Sequence, residues 1–163
     1  AVPRLGVQQP YVLAVGYDEP RKNFGGLYRA IERVTASHPG LTLVRVGPVA
    51  HRVNDFTTLA SWLHRFGFIA DEDLDALYRR AAIFVCPSTY EGFGLTVLEA
   101  MQRGAPVICA RASSLPAVAG TGAAFFSPDE DAALTAALQR LLDDPAHSAP
   151  LIATRRAHVA DFC

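Results

Sequence analysis

Little in this sequence leans to one side. Basic and acidic residues nearly cancel, 15 against 16, leaving a formal net charge of −1. A surface built to hold a nucleic-acid backbone carries a strong basic excess, so the balance argues against nucleic acid as a partner. Cysteine is scarce: Cys86, Cys109 and Cys163 are an odd number and lack the paired spacing of a metal site. Cys86 and Cys109 lie inside apolar runs, so reduced, buried thiols are expected, as in a cytosolic protein. No histidine or basic group adjoins Cys86 in sequence, and it is not read as a nucleophile. No apolar run reaches the roughly 20 residues of a membrane span, and the first residues lack a signal-peptide pattern. Internal repeats, low-complexity tracts and interior linkers are absent as well. What is there is a chain of 163 residues, 50% hydrophobic and 19% charged, the profile of one folded domain. Such a length buries roughly 70% of its unfolded surface without help from a disulfide or metal. One domain over residues 1–163 is the expectation.

Short apolar runs alternate with amphipathic stretches along the chain. Residues 11–15 read as a strand closing on Gly16. Asn23 begins a helix whose Phe24, Leu27, Ile31 and Val34 share one face, with Pro39 and Gly40 beyond its end. Residues 41–46 read as a second strand followed by Gly47, residues 55–65 as a helix placing Trp62 in the core, and residues 66–69 as a brief third strand. Asp71 caps a helix that groups Leu74, Leu77, Tyr78 and Ala81. Strands follow at 83–86, 106–109 and 123–126, and helices at 92–103, 131–142 and 147–162. Strands apolar on both faces with helices between them require a parallel sheet covered on both sides, because parallel neighbours need a crossover. The expected fold is α/β, a Rossmann-like doubly wound parallel sheet. Ligands of such sheets bind beyond the C-terminal strand ends. That places the chemistry in three loops, residues 16–23, 47–54 and 87–94.

The last of these is the most informative. Gly92 and Gly94 flank Phe93 where a strand and loop give way to a helix. Glycine lets backbone approach a ligand, and the first amides of a helix have no internal acceptor, so the turn suits a diphosphate. Carboxylates stand on both sides, Glu91 before the turn and Glu99 two helical turns in. Carboxylates repel phosphate and accept hydrogen bonds from hydroxyls. A ligand with phosphate in its middle and polyols at both ends therefore fits, and a sugar nucleotide has that layout. In the first loop, Arg21 and Lys22 lie over the same sheet edge as a cationic complement. The plainer alternatives are acids favoured by a helix dipole and an exposed basic pair before a helix. Glu99 lies among Leu98, Ala100 and Met101, which argues against an ordinary solvated face. Neither a Walker loop nor the three-glycine dinucleotide fingerprint is present.

The run from Glu91 to Glu99 resembles the Glu-x7-Glu signature of retaining glycosyltransferases, family 4 of the two-domain GT-B type, also known as glycosyl transferases group 1. Pro87-Ser88, Glu91-Gly92-Phe93-Gly94, Leu98-Glu99-Ala100-Met101 and Gly104-Ala105-Pro106-Val107 are similar to that family's central block, and Glu19-Pro20-Arg21-Lys22-Asn23 to its diphosphate loop. Residues 71–82 and 113–118 fall where weaker motifs lie. The resemblance covers the whole chain but only the C-terminal, donor-binding half of such enzymes; the acceptor-binding N-terminal domain is expected to lie outside it. It implies that Glu99 binds the ribose and Glu91 faces the transferred sugar. Arg21, Lys22 and the amides of Phe93, Gly94 and Leu95, beside Gly16, would hold the diphosphate, and the base would lie near Phe68 and Ile69. It implies no metal and no cofactor besides the nucleoside-diphosphate-sugar donor, with GDP-mannose favoured by the 19–23 loop. The acceptor would be a glycan or lipid. A cytoplasmic setting follows, with attachment of a longer parent to the inner face of a membrane left open. Tyr17 stands where many relatives carry arginine, and Ala117 where many carry glutamate.

Other readings remain. A sugar-nucleotide epimerase shares the architecture but needs acid/base residues not seen here. A receiver domain needs a phosphoacceptor aspartate before Pro87, and none is present. A module that binds sugar nucleotide without transferring it stays open. His51 is read as a solvated loop residue near the cleft, and His38, His64, His147 and His158 as surface residues.

Overall fold

The computed structural model describes residues 3–48, 60–130, 132–147, 149–151 and 153. The apolar runs form its centre. Six parallel strands, β1 (Tyr11–Val15), β2 (Thr42–Val46), β3 (Leu63–Phe66), β4 (Ile83–Cys86), β5 (Val107–Ala110) and β6 (Ala124–Phe126), make one sheet in the order β3-β2-β1-β4-β5-β6. Every residue of β4 and β5 is buried, as a central parallel strand covered on both faces requires. The helices between them are α1 (Phe24–Thr35), α2 (Asp71–Arg80), α3 (Leu95–Arg103), α4 (Leu115–Ala119) and α5 (Ala133–Asp143). α1 packs beside α5, whereas α3 packs between α2 and α4. Right-handed crossovers leading to opposite sides of the starting strand produce these two helical layers. The Rossmann-like doubly wound sheet is therefore the fold observed.

Strand order locates the crevice. From β1 the chain moves outward to β2 and β3, then returns to lay β4 on the other side of β1, with Val12 against Ile83. The order reverses there, so the loops after β1 and β4 diverge and leave an opening at their C-terminal ends.

Three differences from the sequence expectation bear on the site; the ends of β2, β5, β6 and α5 shift by only one or two residues. β3 occupies Leu63–Phe66, where residues up to 65 read as helix and 66–69 as strand. It is the edge strand and all four residues are half-buried, so His64 and Arg65 sit comfortably in it and erase the apolar run. Phe68, expected inside the strand, is 87% exposed in the loop beyond it. α3 starts at Leu95 instead of residue 92, because Gly94 takes a left-handed conformation (φ 87°) that a continuing helix excludes. Glu99 thus lies a little over one turn into α3, not two. α2 is capped at Ala70, and Asp71 is its first helical residue, supporting the helix through the dipole with Glu72 and Asp73. α4 was not expected as an element. Of the helix expected over 55–65, residues 55–59 lie outside the described residues, as do most of that expected over 147–162, together with His51, His158 and Cys163.

Candidate functional site

The loop after β1 is built on close backbone contact. Gly16 donates its amide to Val46 O at 2.9 Å and Gly47 donates to Phe66 O at 2.9 Å, so three strand ends are stitched side by side. A Cβ on Gly47 (φ 134°) would fall on the Gly16 carbonyl, so no other residue fits there. Beneath this junction lies Arg45 of β2, with no exposed surface. Its Nη2 donates to Gly16 O at 3.2 Å and to Pro48 O at 2.9 Å, its Nη1 stands 3.9 Å from Asp18 Oδ2, and its guanidinium covers the Phe24 ring. The Nε and Nη1 groups have no hydrogen-bond acceptor among the described residues. Pro20 then opens a short 3₁₀ turn, Pro20–Lys22, whose preset φ suits a first helical position and which delivers Arg21 and Lys22 side by side.

Lys22 is the only lysine in the sequence, and it is buried. Its stem crosses Gly16, where a Cβ would stand 3.2 Å from Lys22 Cε. Its ammonium donates to Glu91 Oε1 at 2.6 Å. The same oxygen accepts from Ser88 Oγ at 2.6 Å, and Oε2 faces Arg21 Nη1 at 3.3 Å. Glu91 is itself buried, with 8% exposure. Burial pushes its carboxyl upward, but hydrogen bonds from Lys22 and Ser88 and the charges of Lys22 and Arg21 outweigh that and hold it below its ordinary value. Arg21 also pairs with Glu19 at 2.6 Å and reaches Tyr90 O at 3.2 Å. Ser113 and Ser114 donate to the Glu91 carbonyl at 2.8 and 3.1 Å, anchoring the turn from the far side. Cys86 lies 3.9 Å from Glu91 Oε1, and burial raises its thiol above the ordinary range, as a non-nucleophilic cysteine requires.

Past Glu91 the chain passes through Gly92 and Phe93 into Gly94, where a Cβ would stand 3.1 Å from Leu115 Cδ2. The amides of Gly94, Leu95 and Thr96 find no acceptor among the described residues, and the first amide to be accepted is Val97, by Gly94 O. Phe93 and Leu95 expose their side chains beside them. Inside α3, Glu99 is half-buried and, among the described residues, accepts only from Tyr78 Oη, at 2.9 Å through Oε2. Arg103 closes this corner. It donates to Glu99 O at 3.2 Å, pairs with Asp75 at 2.8 Å and lies 5.3 Å over the Tyr78 ring.

A cavity of about 260 Å³ opens beyond β1, β2 and β3, lined by Gly16, Pro48, Gly67, Phe68, Ile69 and Asp71 among others. Tyr17, Phe68, Tyr90, Phe93 and Leu95 are the chain's exposed large hydrophobic residues among those described, and all lie in loops or a helix start past the C-terminal strand ends. The expected site residues are thus gathered along one sheet edge. Arg21, Lys22 and Glu91 touch one another, Gly94 and Leu95 stand at the α3 start, and Gly16, Phe68 and Ile69 line the cavity. Glu99 is set apart on the α2 side. Sequence reasoning missed Ser88, Ser113, Ser114, Arg45 and the hydroxyl of Tyr78. Arg45 was legible as a lone charge in an apolar strand; Ser88, Ser113 and Ser114 fall within motifs of the resemblance, but their contacts with Glu91 have no local signal. Of the other histidines, His38 pairs with Asp143 and His147 with Asp144, at 3.0 and 2.9 Å. Trp62 is half-buried next to Tyr28 just before β3, not on a helix. Among the described residues no group of three or more His, Cys, Asp or Glu is placed to hold a metal ion, and no helix is long and apolar enough to cross a membrane.

Comparison with known proteins identifies the family and the fold. The family model described as Glycosyl transferases group 1 matches residues 2–158. An O-antigen chain mannosyltransferase B from Escherichia coli is 39% identical over 144 residues, covering 83% of this chain and 38% of the relative. Sucrose-phosphate synthase from Thermosynechococcus elongatus superposes with a TM-score of 0.77 at 28% identity, over 98% of this chain and 43% of that one. Anabaena HepE, solved in complex with UDP and glucose, shares the fold with a TM-score of 0.82 at 22% identity, over 98% and 46%. The chain spans less than half the length of each of these proteins.

Proposed function

The chain belongs to the glycosyl transferases group 1, and from that premise we propose that it is the donor-binding half of an enzyme that moves a sugar from a nucleoside-diphosphate sugar to an acceptor with retention. The observation that carries this reading is the buried Lys22–Glu91 pair, with Arg21 beside it, next to the open amides at the start of α3. Buried lysine is unusual unless paired, and here the pairing leaves two cations at the mouth of an anion-binding turn.

In this reading the diphosphate lies against the amides of Phe93, Gly94 and Leu95 and draws on Arg21 and Lys22. Once these cations are shared with phosphate, the Glu91 oxygens are released to accept hydrogen bonds from the hydroxyls of the sugar. Transfer breaks the bond between the anomeric carbon and the diphosphate oxygen, and charge grows on the departing diphosphate. Preorganised cations and amides aimed at that charge lower the barrier. Glu99 Oε1, which no described side chain occupies, accepts from the ribose, and the base enters the cavity by Phe68 and Ile69. No metal is assigned, since the two cations supply the positive charge. The mannosyltransferase relative favours a mannosyl donor, GDP-mannose, and an acceptor glycan or lipid held mainly by a second domain. The setting proposed is the cytoplasm, with the whole protein able to work at a membrane face.

Calorimetric titration of the chain with UDP, GDP and their sugars tests the assignment. Weak binding of one nucleotide without transfer is expected, because half the cleft belongs to another domain. A flat response to all of them overturns the donor role. Lys22 being the sole lysine, its labelling by an amine-reactive reagent should also slow when the nucleotide is present.

A further inference from the structure

Glu91 and Glu99 are held differently, and the difference points to a residue outside the motif. Both oxygens of Glu91 have partners, whereas among the described residues Glu99 is tethered through Oε2 only, by Tyr78 at 2.9 Å. Tyr78 is fully buried in α2. A buried phenol needs an acceptor, and the Glu99 carboxylate supplies it. Burial first, and the adjoining Glu99 charge second, push the phenol far above the usual tyrosine range, so it remains a hydrogen donor throughout the working pH range. The ring is fixed as well, packed against Phe84 at 5.5 Å on the sheet and covered by Arg103. Arg103 in turn holds the Glu99 backbone carbonyl and Asp75, which joins α2 to α3. A glutamate has three side-chain torsions, and an untethered one would sweep its charge through solvent. Tied at Oε2, its other oxygen is presented in one direction.

We propose that Tyr78 is a positioning residue for donor binding, its hydroxyl holding Glu99 Oε2 so that Oε1 faces the ribose of a nucleoside diphosphate. This rests on the ribose role of Glu99 proposed above. Tyr78 has no contact with the ligand in this scheme and acts only through Glu99.

Tyr78→Phe removes the hydroxyl while keeping the ring, its packing and the Arg103 cover. The test titrates the chain, Tyr78→Phe and Glu99→Ala with UDP and GDP and with their 2′,3′-dideoxy analogues. A hydroxyl-to-carboxylate bond lost from the binding machinery predicts about ten-fold weaker binding of the ribose nucleotide by Tyr78→Phe. The dideoxy analogue, lacking the hydroxyls that Glu99 would bind, should bind the chain and Tyr78→Phe alike. Equal weakening of both ligands would mark Tyr78 as merely structural and overturn the inference, as would unchanged binding of both. A loss in Glu99→Ala with none in Tyr78→Phe also overturns it while leaving the ribose role intact. Normal ribose binding by Glu99→Ala, or no binding by the chain at all, sinks the underlying reading instead.

Discussion

Replacing Lys22 with methionine separates the charge of that side chain from its bulk. Methionine keeps an unbranched stem across Gly16, where the lysine Cε would stand 3.2 Å from a Cβ, and removes the ammonium 2.6 Å from Glu91 Oε1. Taking one partner from a buried ion pair costs roughly 3–5 kcal/mol, because the other charge stays buried and uncompensated. Glu91 keeps Ser88 at 2.6 Å and Arg21 at 3.3 Å, so the loss should fall below that range, about 2–3 kcal/mol at neutral pH. For a domain of this size that corresponds to a melting temperature lower by roughly 4–12 °C. The pH dependence identifies the cause. In the native chain the Glu91 carboxyl is held below its ordinary value, so its stabilising contribution is complete above about pH 4.5 and is lost as pH falls through the lowered folded value. In Lys22→Met that lowering largely disappears. The two proteins should therefore draw closer in stability as pH falls below about 4.5, the ordinary carboxyl value, because the variant's carboxyl protonates first. Thermal unfolding followed by circular dichroism at pH 7 and pH 3.5 reads both quantities, and Lys22→Met/Glu91→Gln should recover part of the loss at pH 7. A deficit of equal size at both pH values would refute the electrostatic reasoning and leave packing as the explanation.

Other outcomes follow from the same junction. Gly47→Ala places a methyl on the Gly16 carbonyl in a backbone region closed to alanine, so expression of folded protein should fall sharply, as judged by solubility and melting temperature; a normal melting curve would contradict the observed loop contact. Arg45→Met deprives the Gly16 and Pro48 carbonyls of their shared donor and leaves Asp18 without its cation, for a loss of about 1–3 kcal/mol by chemical denaturation. Adding Asp18→Asn should return part of it, and a further loss in the double variant would argue against the pairing.

Central strands and the site motif were legible because their causes are local or chemically narrow. Strands β4 and β5 are buried on both faces, which demands uninterrupted apolar residues, and both stood out. β3 did not, because an edge strand tolerates His64 and Arg65, and the periodicity that marks a buried strand is absent from it. The loop after β4 announced a turn through Gly92 and Gly94 but concealed where the helix begins, since that depends on which glycine adopts a positive φ. The acids and the basic pair were found by residue type. Their mutual contact was not, because it arises from a separation of about 70 residues closed only by the reversal of strand order. By spacing alone Tyr78 reads as one more apolar face residue. Its hydroxyl acquires meaning only when α2 and α3 lie side by side, a fact that no spacing within α2 discloses.

The junction of Gly16 with Gly47 has a mechanical corollary. Two backbones in van der Waals contact, bolted from below by one guanidinium, cannot slide past each other without breaking both. The wall of the cavity and the base of the cationic loop therefore travel as a single block. Adjustment to an incoming ligand is left to the rotation of long side chains, Arg21 above all, whose guanidinium already divides itself between Glu19 and Glu91. A hinge that shuts the cleft would have to move this block whole, which turns the floor of the pocket into a fixed reference against which any opposing surface is aligned.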